Sequence, residues 1–96
     1  LVPVHRISDL TASGGSVERE LALIKVKGSG NKRVEALRIA DIFRAHVIDS
    51  TGTSFVFEIS GSTKKINAFI ELMGPLGLVE ASRTGVVAIA RGAKGL

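Results

Sequence analysis

The sequence predicts an α+β fold: a four-stranded antiparallel sheet with two helices on one face. Two segments repeat apolar residues at i, i+3, i+4 and i+7, namely Ala36, Ile39, Ala40 and Phe43, then Ile66, Phe69, Ile70 and Met73, which is the spacing of one helix face. Around them lie four runs rich in Val, Ile, Leu and Phe, the composition of strands. Gly, Ser and Pro punctuate the joints, so the order reads β-α-β-β-α-β.

The first strand is expected over Glu20–Lys27, closed by Gly28-Ser29-Gly30. Asn31 is placed to cap a helix over Lys32–Ala45, because its short amide can accept from free N–H groups of the first turn. His46–Ser50 forms the second strand, Thr51-Gly52 a turn, and Ser54–Ser60 the third strand. Gly61-Ser62 leads into a second helix, Thr63–Met73, which Gly74-Pro75 ends, since proline has no N–H and disfavours helical conformation in the residue before it. Leu78–Ala90 makes a long last strand, bent or bulged at Thr84-Gly85. Two split βαβ units of this kind build the ferredoxin-like plait.

The residues ahead of the plait differ in composition. Leu1–Leu10 reads as the last strand of a preceding domain, and residues 11–17 (Thr-Ala-Ser-Gly-Gly-Ser-Val) as a small, polar linker. The compact unit is expected over residues 18–96.

Composition raises a question that the fold must answer. The chain has 96 residues, 45% of them apolar but only 4% aromatic, with a mean hydropathy of +0.31. So much aliphatic surface exceeds what a small interior hides, and some of it is expected to be covered from outside. The first strand is apolar at both alternating sets, Leu21 and Leu23 against Ala22, Ile24 and Val26, and the last strand repeats this with Val87 and Ile89 against Val86, Ala88 and Ala90. Strands apolar on both sides are normally covered on both. The sheet face away from the helices is therefore expected to serve association, with Ala22, Ile24, Val26, Val86 and Ala88 as dimer-interface candidates.

Catalytic chemistry is thinly represented. There is no cysteine, hence no disulfide, thiolate nucleophile or cysteine-bound zinc. The two histidines, His5 and His46, sit on separate strands and suggest no metal set. Glu18 and Glu20 read as solvated charges at a strand edge, and no Gly-x-Ser-x-Gly elbow occurs. The loop Gly28-Ser29-Gly30-Asn31 joins a strand to a helix start, where free N–H groups can attract an anion, but it lacks the third glycine of a dinucleotide loop and the Gly-Lys-Ser/Thr of a phosphate loop. It stands as a weak effector-binding candidate or a simple turn. No apolar run reaches the roughly 20 residues of a membrane-spanning helix.

The net charge is +4, from 13 Lys and Arg against 9 Asp and Glu, yet the cations are scattered rather than clustered. Phe55 and Phe57 on the third strand occupy the place where RNA-binding plaits stack bases. With Ile59 they share one side of the strand, however, and so read as helix-side core. Neither nucleic acid nor membrane is expected as a partner. A nucleic-acid-binding or metalloregulatory plait is the alternative reading.

Three segments, Glu18–Leu21 (Glu-Arg-Glu-Leu), Ile42–Asp49 (Ile-Phe-Arg-Ala-His-Val-Ile-Asp) and Arg83–Gly92 (Arg-Thr-Gly-Val-Val-Ala-Ile-Ala-Arg-Gly), resemble the small regulatory subunit of acetohydroxyacid (acetolactate) synthase. The resemblance implies that Leu1–Leu10 closes an N-terminal ACT domain and that residues 18–96 form the C-terminal domain. It further implies a non-catalytic, cytoplasmic, homodimeric chain (organellar in a eukaryote) that binds and activates the catalytic subunit and passes on feedback inhibition by valine in branched-chain amino-acid biosynthesis. Thiamine diphosphate, Mg and FAD would belong to that catalytic partner, and valine would bind through the ACT domain, so no effector residue is assigned in this chain.

Overall fold

The computed structural model describes residues 16–93 of the chain; the expected strand Leu1–Leu10 and the linker up to Gly15 lie outside the described residues. The observed order is β1 (Ser16–Lys27), α1 (Asn31–Ile42), β2 (His46–Ser50), β3 (Ser54–Gly61), α2 (Thr63–Met73), a short 3₁₀ turn (Gly74–Leu76), β4 (Leu78–Arg83) and β5 (Val87–Ala90). The four-stranded sheet runs β2-β3-β1-β4, and β5 joins separately on β1. All these pairings are antiparallel. This is the expected α+β plait, with the last strand divided in two.

Local chemistry explains most element boundaries. Ser62 caps α2, its Oγ accepting from the Lys65 N–H at 3.1 Å. α1 starts at Asn31 itself, behind Gly30, without a side-chain cap. It stops at Ile42, before the expected Ala45, because Arg44 turns left-handed (φ 59°). The Ala45 N–H then reaches the Ala40 carbonyl at 2.8 Å and the Arg44 N–H the Asp41 carbonyl at 3.1 Å, the paired closure of a Schellman motif. Gly77, at φ 108°, lies so close to β1 that an added Cβ would stand 2.0 Å from the Lys27 carbonyl oxygen, leaving room for glycine alone.

The core lies between the helices and one side of the sheet. Ala22, Ile24 and Val26 of β1 and Phe55, Phe57 and Ile59 of β3 face Ala36, Ile39 and Ala40 of α1 and Ile66, Phe69 and Met73 of α2. Phe69 sits edge-on to Phe57, with ring centroids 6.0 Å apart at 87°, and packs against Phe43 at 5.4 Å, geometries that suit the ring quadrupoles.

β1 is longer than the expected Glu20–Lys27 because its first residues find a partner of their own. Ser16–Arg19 pair with Val87–Ala90 as a two-stranded ribbon, while Glu20–Lys27 pair with β3. Ser16 and Val17, expected in the linker, are therefore strand residues. The anticipated break in the last strand falls at Thr84–Val86, where Gly85 takes φ 83°. Thr84 holds the crossing: its N–H donates to the Leu21 carbonyl at 3.0 Å, and its Oγ1 accepts from the Leu21 N–H at 3.1 Å.

Beneath this crossing lies an ion pair. Glu20, 6% exposed, is a buried residue rather than a solvated edge charge, which corrects the sequence expectation. Arg83 grips it with two hydrogen bonds, Nε to Oε2 at 2.9 Å and Nη2 to Oε1 at 2.7 Å, and donates from Nη1 to Asn67 Oδ1 of α2 at 2.6 Å. Such a planar two-point grip is a geometry only arginine offers a carboxylate. The Arg83 hydrogen bonds hold the Glu20 carboxyl below its ordinary pKa against the opposing effect of burial; the Arg83 charge, the Gly85 N–H and the Thr63 side chain lower it further.

Two outcomes are expected. Phe57→Ala empties the centre of the core, where Phe57 is 0% exposed, and should cost about 3–5 kcal/mol in urea unfolding. Because the folded-state pKa of Glu20 is depressed, its stabilisation is complete above its unfolded pKa and lost as pH falls through the folded value. The melting temperature should therefore decline below about pH 4, and Glu20→Gln should lower it at pH 7 while flattening that acid limb.

Candidate functional site: the open face of the sheet

Strand parity decides what the helix-free face carries. Directly opposed residues share a face, so the register places Leu21, Leu23 and Lys25 of β1 with Ser60, Glu58 and Val56 of β3. Ser82 and Glu80 of β4 join them opposite Leu23 and Lys25, as do His46 and Asp49 of β2 opposite Glu58 and Val56. The same side continues along the ribbon, where Val17 opposes Ile89 and Arg19 opposes Val87.

The result is an aliphatic stripe with a charged rim. Val17, Leu21, Leu23, Val87 and Ile89 are all exposed, Ile89 by 69%. Leu23 and Val56 floor an open depression walled by Lys25, Glu80 and Ser82, across which Lys25 Nζ reaches Glu80 Oε1 at 3.2 Å. That pair is well exposed and contributes little to stability.

The structure corrects the expected interface residues. Ala22, Ile24 and Val26 are 0–2% exposed and face the chain's own helices, where no partner can reach them. Ala88 is half-buried on the other side of the ribbon, opposite Glu18, and Val86 is half-buried just ahead of β5. The outward residues are the intervening ones. A signal for this was present: Arg19, Lys25 and Lys27 share the parity of Leu21 and Leu23, and charged residues stay on the wet side.

The other candidates have ordinary places. The Gly28 N–H donates to the Thr53 carbonyl at 2.8 Å, and Gly30 accepts from the Val34 N–H at 3.2 Å, which makes Gly28–Asn31 a tight connection into α1. Phe55 and Phe57 are buried, as expected, and Arg33 covers Phe55 at 4.0 Å while donating to the Thr51 and Gly52 carbonyls. Neither ring is free to stack a base. His46 is exposed on β2, and His5 lies outside the described residues. Among the described residues no group of three His, Asp or Glu side chains is positioned to hold a metal ion, and no helix is long and apolar enough to cross a membrane.

Comparison with known proteins gives this geometry a family. The family described as the small subunit of acetolactate synthase matches residues 19–92, from β1 through the end of β5. The chain is 44% identical over 94 residues to a probable acetolactate synthase small subunit of Archaeoglobus fulgidus, covering 98% of this chain and 58% of that protein. It is 48% identical over 92 residues to the acetolactate synthase small subunit of Aquifex aeolicus, covering 95% and 47%. The crystal structure of the acetolactate synthase small subunit from Thermotoga maritima superposes with a TM-score of 0.77 at 32% identity, over 94% of this chain and 62% of that one. The chain thus spans about half to three-fifths of the length of these relatives. With a match that runs through every strand and both helices, the chain belongs to the acetolactate synthase small-subunit family.

Proposed function

We propose that this chain is the C-terminal part of a non-catalytic regulatory subunit that binds and activates the acetolactate synthase catalytic subunit. In this reading it also helps transmit feedback inhibition by valine in branched-chain amino-acid biosynthesis. The observation that carries the proposal is the family match over residues 19–92. The exposed aliphatic stripe on the open face supports it, since a plait built to assemble needs such a surface. The subunit acts as a cytoplasmic homodimer, residues 1–10 close the effector-binding ACT domain, and thiamine diphosphate, Mg and FAD stay with the catalytic subunit.

The coupling is a population shift. Effector binding favours one arrangement of the regulatory dimer, and the catalytic subunit binds the two arrangements with different affinity. This chain's part is to hold that geometry. β1 runs unbroken from the ribbon into the centre of the plait, and the Glu20–Arg83 grip with the Thr84–Leu21 bonds fixes the angle between them. A movement imposed at Ser16 therefore reaches the sheet without a hinge to absorb it.

A base-binding plait, the alternative, is disfavoured by the burial of Phe55 and Phe57 and by the mixed charges of the open face. Reconstitution decides the matter. A full-length small subunit truncated just before Val17 should leave the catalytic subunit poorly activated and much less sensitive to valine than the intact subunit does. Activation and inhibition unchanged by the truncation would overturn the role given to this domain.

A further inference from the structure

We propose that the hydrogen-bonded node around the Glu20 carboxylate is a latch that sets the angle of the ribbon to the sheet, and that Glu20, Arg83 and Asn67 are positioning residues for effector inhibition but not for activation. The second half deepens the regulatory reading above and rests on it. The first half stands on the geometry of the chain itself.

The ribbon joins the plait through a narrow junction. β5 pairs with β1 alone, at Ser16–Arg19, while the pairing of β1 with β3 begins one residue later, at Glu20. Between β4 and β5 the chain passes through Thr84, Gly85 and Val86. Gly85, at φ 83°, has nothing within 4 Å of where a Cβ would stand. Two paired strands are marginal alone, so the angle here depends on what holds the junction. Among the described residues Glu20 is the one buried charged side chain, and its carboxylate sits where four segments meet. It accepts from Arg83 at the end of β4 at 2.9 and 2.7 Å, from the Gly85 N–H in the crossing, and from the Thr63 side chain at the start of α2. Arg83 also reaches Asn67, a turn further along α2, at 2.6 Å.

Such a node closes or opens as a unit. A carboxylate that loses some donors while it stays out of water keeps an unmet acceptor, which is costlier than full pairing or full exposure. Intermediate ribbon angles are therefore disfavoured, and two discrete arrangements are what coupling between distant sites requires. A movement arriving at Ser16 runs along β1 and meets the node at Glu20; Arg83 and Asn67 carry it into α2. An aliphatic pair in the same place would let the strands slide, because apolar contact has no preferred direction. Association is a separate matter. At 6% exposure Glu20 offers no surface to another chain. The isosteric Glu20→Gln thus leaves the outward contacts of the subunit in place and removes only the latch.

The full-length small subunit, alone and reconstituted with the catalytic subunit well below its melting temperature, tests both halves. In Glu20→Gln the amides of Val87–Ala90 should exchange with deuterium about tenfold faster than in the unaltered subunit, while those of Phe57 and Ile59 keep their rate. The valine concentration for half-inhibition should rise about fivefold or more, with activation at saturating subunit unchanged. Arg83→Lys keeps the charge but not the two-point grip and should lose as much. Asn67→Ala, at an exposed position of α2 where alanine suits a helix, should shift the valine response less but in the same direction. Ile24→Val thins the core away from the node and should leave the valine response untouched although it lowers stability. Ribbon exchange or valine response unchanged in folded Glu20→Gln, an Ile24→Val shift as large, or activation lost in proportion to inhibition would each overturn the proposal. If Glu20→Gln fails to fold, Asn67→Ala against Ile24→Val decides: equal valine responses overturn it. An unaltered subunit that never changes the catalytic subunit's activity would sink the regulatory reading and the inhibition role with it, leaving ribbon exchange to decide the latch. A failed latch beside a normal wild-type valine response would leave the regulatory reading standing.

Discussion

The alternation of β1 is the constraint on which the rest of this domain depends. A strand must send successive side chains to opposite faces, and β1 does so over twelve residues while pairing with β3, β4 and β5. Its even positions from Ala22 to Val26 are sealed against the helices, so its odd positions are committed to the other side. A slip of one residue would bring Lys25 under the helices and turn Ile24 outward. The cost of burying that charge holds the register in place.

One strand serving both the four-stranded sheet and the ribbon creates a mechanical problem at the point where they meet, and the Glu20–Arg83 pair answers it. A half-buried ion pair is weak evidence for stability, because desolvation of the buried carboxylate offsets much of the attraction. Its geometry does something a packed aliphatic pair could not. Arg83 at the end of β4 is tied to β1 by two hydrogen bonds and to α2 by a third, so sheet, helix and ribbon share one fixed point. Asn67 and Thr63 supply further hydrogen-bonding partners from α2, and among the described residues no buried side-chain nitrogen or oxygen is left without a partner.

The distribution of apolar surface fits the regulatory role proposed above. The helices cover one face and close a core of modest aromatic content, where Phe57 and Phe69 are the largest fully buried side chains. Val17, Leu21, Leu23, Val87 and Ile89 are left outside on the other face and the ribbon. In the proposed reading such an arrangement suits a small subunit, because the stripe lies along β1, the strand shared by the sheet and the ribbon.

Much of this was legible in the sequence. The helical spacing of Ile66, Phe69, Ile70 and Met73, the serine before α2, the proline after it and the shared parity of Phe55, Phe57 and Ile59 determined the element order and the helix-side core, because these are local signals. The segments Ile42–Asp49 and Arg83–Gly92 also carried the family resemblance. Only the tertiary structure decided which set of β1 residues faces outward, since both sets are aliphatic and the choice depends on which side the helices cover. It likewise decided that Ser16 and Val17 are strand rather than linker, because their partner lies more than seventy residues away in β5. And it turned Glu20 from an edge charge into a buried anchor, since nothing near Glu20 in the chain announces Arg83. Local sequence reports periodicity and turn chemistry; contacts made across the whole chain assign the faces.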